Sequence, residues 1–123
     1  MTGWGVAALI AAGGIGGVCR LVLGAVVPPL GPAKWPLATT VINVLGSFLL
    51  GLVTGLAAAQ FLPGAWKAIL ATGFLGGFTT FSTASNDTAR LVRGRHPGWA
   101  AVNAFGMLAL AVGAAALGVE LGG

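Results

Sequence analysis

The sequence predicts an all-α integral membrane protein: four transmembrane helices in one domain, with the third helix broken in its middle. Three observations predict it. The chain is 57% hydrophobic and 7% charged, with a mean hydropathy of +0.98, a balance foreign to a water-soluble domain. Prolines and half of the charged residues gather between apolar stretches, which divides the 123 residues into segments of about 4–27, 36–61, 66–88 and 99–121. The third of these contains GFLGGFTTFSTASN, residues 73–86, which sets glycines and hydroxyls inside a membrane-length run. Four spans and short loops nearly exhaust 1–123, so the chain reads as a single integral membrane domain.

The first span is too long, and lacks the basic leader, for a cleaved signal peptide, so it is expected to remain in the mature chain. Gly13, Gly14, Gly16 and Gly17 give it a small-residue face suited to close helix approach. Arg20 lies within this span, where an arginine costs roughly 2.5–3.5 kcal/mol on insertion scales. The preferred reading is structural, a guanidinium holding helix-end or loop carbonyls, although its charge also favours a nearby anion. Cys19 has no second cysteine to pair with and reads as a small hydrophobe.

Pro28, Pro29, Pro32 and Pro36 end the first helix and form a loop, after which Trp35 marks the membrane interface. The second span carries Thr39, Asn43, Ser47, Gly51 and Gly55, each four positions from the last, which builds one face. Asn43 can offer an amide N–H to an anion or make an interhelical hydrogen bond worth about 0.6 kcal/mol, and its spacing alone leaves both open.

After a short loop at Pro63, Gly64 and Lys67, the third span brings Gly76 and Gly77, then Phe78, Thr79, Thr80, Phe81, Ser82 and Thr83. The glycines permit either close packing or an opened turn. Five hydroxyl residues between positions 79 and 85 favour an element that conducts or binds something polar. Asp87 and Arg90, three apart, are expected to pair, and Arg93, Arg95 and His96 to form the third loop. His96 lacks companions for a metal site. The fourth span carries Asn103, Gly106 and Gly113, with Glu120 at its end.

The formal charge of +4 comes from scattered residues and makes no continuous basic patch for nucleic acid; loop orientation explains it better. No paired carboxylates and no nucleophile–histidine arrangement support an enzyme, and the glycine-rich stretch lacks a phosphate-binding lysine. Transport remains.

Three motifs in order, GGIGGVCR at 13–20, TTVINVLGSFLLG at 39–51 and GFLGGFTTFST at 73–83, resemble those of the Fluc (CrcB) fluoride channels over nearly the whole chain. The resemblance implies an antiparallel, dual-topology dimer in a prokaryotic plasma membrane, with two fluoride pathways and passive fluoride export. It also implies a structural sodium ion at the dimer interface, held by carbonyls that map to Gly76 and Thr79. Asn43, Phe81, Ser82 and Thr83 map to the anion pathway, with Thr39 joining that track, and Arg20 maps to the family's first-helix arginine. The chemistry is suitable: ring edges carry the positive side of the aromatic quadrupole, and neutral N–H and O–H donors pass an anion along without trapping it.

One position departs from the family pattern. Ala84 stands where a second pathway ring is expected, so a ring from Phe78 or Phe105, water with Ser85, or a complementary partner subunit must make up for it. The homodimer with a wetter vestibule is the preferred expectation, and one half of a heterodimer is the alternative. A small multidrug exporter is a further rival, disfavoured because Asp87 and Glu120 lie near span ends rather than deep in a helix. A non-transporting structural subunit is the blandest reading.

Overall fold

A computed structural model describes residues 2–123, and the described residues are helices joined by short turns. Helix α1 (Gly3–Val26) starts at Thr2, whose Oγ1 accepts the Gly5 N–H at 3.2 Å, and stops before Pro28 and Pro29. The loop that follows is ordered. Gly31 and Lys34 take positive φ values of 71° and 53°, which turns the chain back so that Leu30 and Trp35 exchange two backbone hydrogen bonds of 2.9 Å. Trp35 then leans on Trp99 with ring centroids 6.2 Å apart. Helix α2 (Leu37–Ala58) begins directly after Pro36.

The third segment is two helices in series. Helix α3, residues 64–78, includes π turns over Ala68–Leu75, and helix α4 (Phe81–Arg93) follows a two-residue interruption. The interruption lies just past the glycines, which the sequence left open to either packing or unwinding. Gly76 and Gly77 stay helical, and the chain opens two residues later, where Thr79 and Thr80 extend with ψ of 157° and 123°. Gly77 is committed to packing: a Cβ there would overlap the Gly13 carbonyl of α1. Thr80 is what starts the next helix, its Oγ1 accepting the Thr83 N–H at 3.2 Å. The two helices together reach from Gly64 to Arg93, so Lys67, Arg90 and Arg93 lie on helices.

Helix α5 (Pro97–Gly122) completes the fold, with Pro97 at its first position and a π turn over Val102–Gly106. By length and apolar composition α1, α2 and α5 can each cross a membrane. Helix α4 has 13 residues, about 20 Å at ~1.5 Å per residue, short of the ~30 Å hydrocarbon core.

Packing falls into two close pairs, α1 against α3 and α2 against α5, with α4 resting on the start of α5. Both pairs are glycine seams. A Cβ on Gly16 would overlap the Phe74 carbonyl, and one on Gly51 or Gly118 the carbonyls of Ala115 or Phe48. Such approach supplies dispersion contact where water cannot drive association. The buried apolar clusters are small. Ile42, Leu75 and Phe78 gather at the interruption, flanked by Cys19, and Ala33, Leu91 and Ala100 gather beneath the first loop.

Candidate functional site

An extended two-residue stretch inside a membrane helix strands backbone groups, and the structure shows how most of them are met. The Leu75 carbonyl accepts the Thr79 N–H at 2.9 Å and its hydroxyl at 2.8 Å. The Gly77 carbonyl accepts Arg20 Nε at 3.2 Å. Asn43 holds Thr80 from both sides: Nδ2 donates to the Thr80 carbonyl and Oδ1 accepts the Thr80 N–H, each at 2.9 Å. The second Nδ2 hydrogen lies toward Met107 Sδ at 3.3 Å. Among the described residues this leaves the carbonyls of Gly76, Phe78 and Thr79 without a protein donor. Gly76 and Thr79 face a groove of about 780 Å³; around Gly76 nothing lies within 4 Å of where a Cβ would stand.

Glycine shapes the opposite wall. A Cβ on Gly46 of α2 would overlap the Thr79 methyl group, so Gly46 seats the interruption against α2. Sequence reasoning missed it, because its signal was one glycine beside the conspicuous four-residue stripe. That stripe lies along one face as its spacing predicted. Thr39 meets α4, Asn43 holds Thr80, Ser47 lines the groove, and Gly51 and Gly55 pack on α5.

Helix α4 places the remaining candidates. Phe81, at its first turn, is 86% exposed and edges the groove. Ser82 is exposed and Thr83 half-buried; Thr83 opens instead into a second hollow of about 420 Å³, shared with Thr39, Asp87, Arg90 and Lys34. There the expected Asp87–Arg90 pair is replaced. Thr39 Oγ1 donates to Asp87 Oδ2 at 2.9 Å, while Arg90 Nη2 donates to the Lys34 carbonyl at 2.7 Å. Two partners distant in sequence outcompete a neighbour on the same helix. The structure therefore divides the sequence candidates: Gly76, Thr79, Asn43 and Phe81 line one groove, Thr39 and Thr83 the other hollow, and Arg20 braces the α1 side.

Around Ala84 the surroundings are polar rather than aromatic. Its carbonyl accepts Thr88 Oγ1 at 3.0 Å and Asn103 Nδ2 at 3.3 Å, and Asn103 also reaches Thr88 Oγ1 at 2.8 Å. Asn103 is 1% exposed and its Oδ1 has no partner. Phe78 does not supply the missing ring within the subunit: it is buried and stacked on Phe74 with centroids 5.7 Å apart. Phe105 is 73% exposed and does not line the groove, whereas Ser85 does.

A discontinuous helix, with unmet carbonyls on one side and hydroxyls on the next turn, is how multi-pass helical channels and transporters bring backbone dipoles to a polar path. That is the class this fold and site define. The sequence profile of the family described as CrcB-like protein, Camphor Resistance (CrcB) matches residues 7–119. Relatives include the fluoride-specific ion channel FluC 1 of Leifsonia xyli subsp. xyli, 54% identical over 100% of this chain and 90% of the relative. A fluoride-specific ion channel FluC of Thermus thermophilus is 45% identical over 94% of this chain and 93% of its own. FluC 2 of Cutibacterium acnes is 46% identical over 90% and 91%. The chain belongs to the CrcB-like family, as its three motifs indicated.

Proposed function

We propose that this protein is a fluoride-selective channel, rather than an enzyme, that lets fluoride leave a prokaryotic cell passively across the plasma membrane. The observation that carries the reading is full-length identity of 54% to a relative named as a fluoride-specific ion channel. The same kinship favours a channel over a multidrug exporter. The working unit in this reading is an antiparallel dimer in the lipid bilayer. A second copy would cover the open groove and the exposed Phe81 ring, surfaces that a lone subunit leaves as half a pathway.

Phe81, Ser82 and Thr83 open α4, and its N-terminal partial charge adds to their ring edge and hydroxyls in favouring an anion. Asn43 and Thr39 extend that path along α2. The donor-free carbonyls of Gly76 and Thr79 fit a sodium ion, a hard cation that takes oxygen ligands, and Arg20 keeps the neighbouring Gly77 carbonyl occupied. Such an ion supplies fixed positive charge beside an anion path.

Purified protein in liposomes should release fluoride, with chloride and a fluorescent organic cation retained. Phe81→Ala should depress that efflux while leaving a folded dimer. Absence of fluoride efflux from the wild type, or loss of the organic cation, refutes the reading.

Charge distribution favours a second reading of the partner. Lys34, Arg90, Arg93 and Arg95 lie at one end, with Lys67 at the other, a bias that orients membrane proteins. On that reading the chain is one half of a heterodimer whose partner has the opposite bias. Terminal tags with a sidedness reporter find both orientations in the homodimer and one in the heterodimer.

A further inference from the structure

We propose that Asn43 is a positioning residue for the cation site, aiming the Thr79 carbonyl by clamping the peptide unit to which that carbonyl belongs. The inference rests on the reading above that break carbonyls hold a cation. The Thr79 carbonyl and the Thr80 N–H are the two ends of one trans peptide and point in opposite directions. Asn43 Oδ1 accepts that N–H at 2.9 Å, so fixing one end of the unit fixes the other. The companion bond, Asn43 Nδ2 to the Thr80 carbonyl at 2.9 Å, pins the next peptide and removes the rotation that a single bond would allow. Thr79 is anchored from below, its N–H and hydroxyl both on the Leu75 carbonyl at 2.9 and 2.8 Å. The peptide is thus held at both flanks, and its carbonyl is the one group of the unit left without a protein donor.

The amide has little left to give an anion directly. One Nδ2 hydrogen donates to the Thr80 carbonyl and Oδ1 accepts the Thr80 N–H, and the remaining N–H rests on the Met107 thioether at 3.3 Å, a weak acceptor. Asn43 therefore serves the pathway chiefly through the backbone it holds, and an anion can claim only the N–H now parked on sulfur.

The test separates clamp from donor. Asn43→Ala removes both bonds to Thr80, whereas Asn43→Asp keeps an acceptor for the Thr80 N–H and loses the amide donors. Hydrogen exchange at the Thr80 amide should speed up by about tenfold or more in the alanine variant and stay slow in the aspartate variant. The sodium concentration giving half-maximal thermal stabilisation should rise by about tenfold in the alanine variant. Wild-type Thr80 protection and sodium response in Asn43→Ala overturn the proposal, most clearly if only the fluoride dependence of efflux moves. Should Asn43→Ala fail to fold, the wild type still decides: the solid-state NMR distance from Asn43 Nδ2 to the Thr80 carbonyl carbon in bilayers must be that of a hydrogen-bonded pair. A longer separation overturns the clamp. Wild type that passes no fluoride fails the channel reading, and wild type that takes no sodium fails the cation reading; the exchange and distance measurements judge the clamp separately.

Discussion

Substituting two glycines of one motif should have opposite effects, which tests the α1–α3 seam. At Gly16 an added Cβ would overlap the Phe74 carbonyl oxygen and stand 3.0 Å from both the Phe74 carbonyl carbon and the Phe78 nitrogen. Ordinary contact begins at 3.4 Å, so α1 and α3 must part by more than 0.4 Å, and no side-chain rotation relieves a clash with backbone. Overpacking of this kind costs about 1–3 kcal/mol, while the gain in helix propensity from glycine to alanine returns ~0.8–1 kcal/mol. Gly16→Ala should therefore lose about 1–2 kcal/mol at the upper end of that range. Gly14→Ala meets nothing within 4 Å and should be neutral or gain up to ~1 kcal/mol. Reversible unfolding in mixed micelles of rising SDS fraction measures both. Equal stability of the two variants, or a more stable Gly16→Ala, would refute the seam.

Three further outcomes are expected. Ala84→Phe should fold, because Ala84 is half-buried at the open groove, and should keep fluoride selectivity while changing the efflux rate; a dead wild type revived by this change would show that the homodimer is not the functional unit. Thr39→Val leaves Asp87 without its 2.9 Å donor and should destabilise by about 1–2 kcal/mol in the same micelle assay, since Asp87 keeps partial access to solvent. Gly46→Ala pushes on the Thr79 methyl group and should reduce fluoride efflux more than it reduces dimer yield on size exclusion; a parallel fall in both assigns Gly46 to folding alone.

What the sequence made legible was local. The recurrence of Thr39, Asn43, Ser47, Gly51 and Gly55 every four residues needs only helical geometry, and the structure lays them on one face. Where the third helix opens was legible to within two residues. Adjacent glycines serve equally to unwind a helix or to admit a neighbour, and only Gly13, on another helix, decides that Gly77 does the second. The carboxylate and guanidinium on α4 were misread for the same reason. A three-residue spacing suggests a local pair, but the partners chosen lie 48 and 56 positions away. Asn103, one amide on an alanine-rich helix, gave no pattern to read; its place beneath Ala84 depends on how α4 lies against α5.

The division of the third segment also bears on how the chain enters the bilayer. Helix α4 presents Ser82, Ser85, Asn86, Asp87, Arg90 and Arg93 within its 13 residues, so insertion machinery that weighs one segment at a time would gain little from releasing it sideways into lipid. Several of its polar groups take partners from elements made earlier and later: Asp87 from Thr39, Arg90 from the Lys34 carbonyl, Thr88 from Asn103. Integration of this half-helix is thus coupled to tertiary assembly. Residues 81–93 should settle at their final depth only after α2 is in place and α5 has begun to emerge, which makes the last span a condition for seating the third.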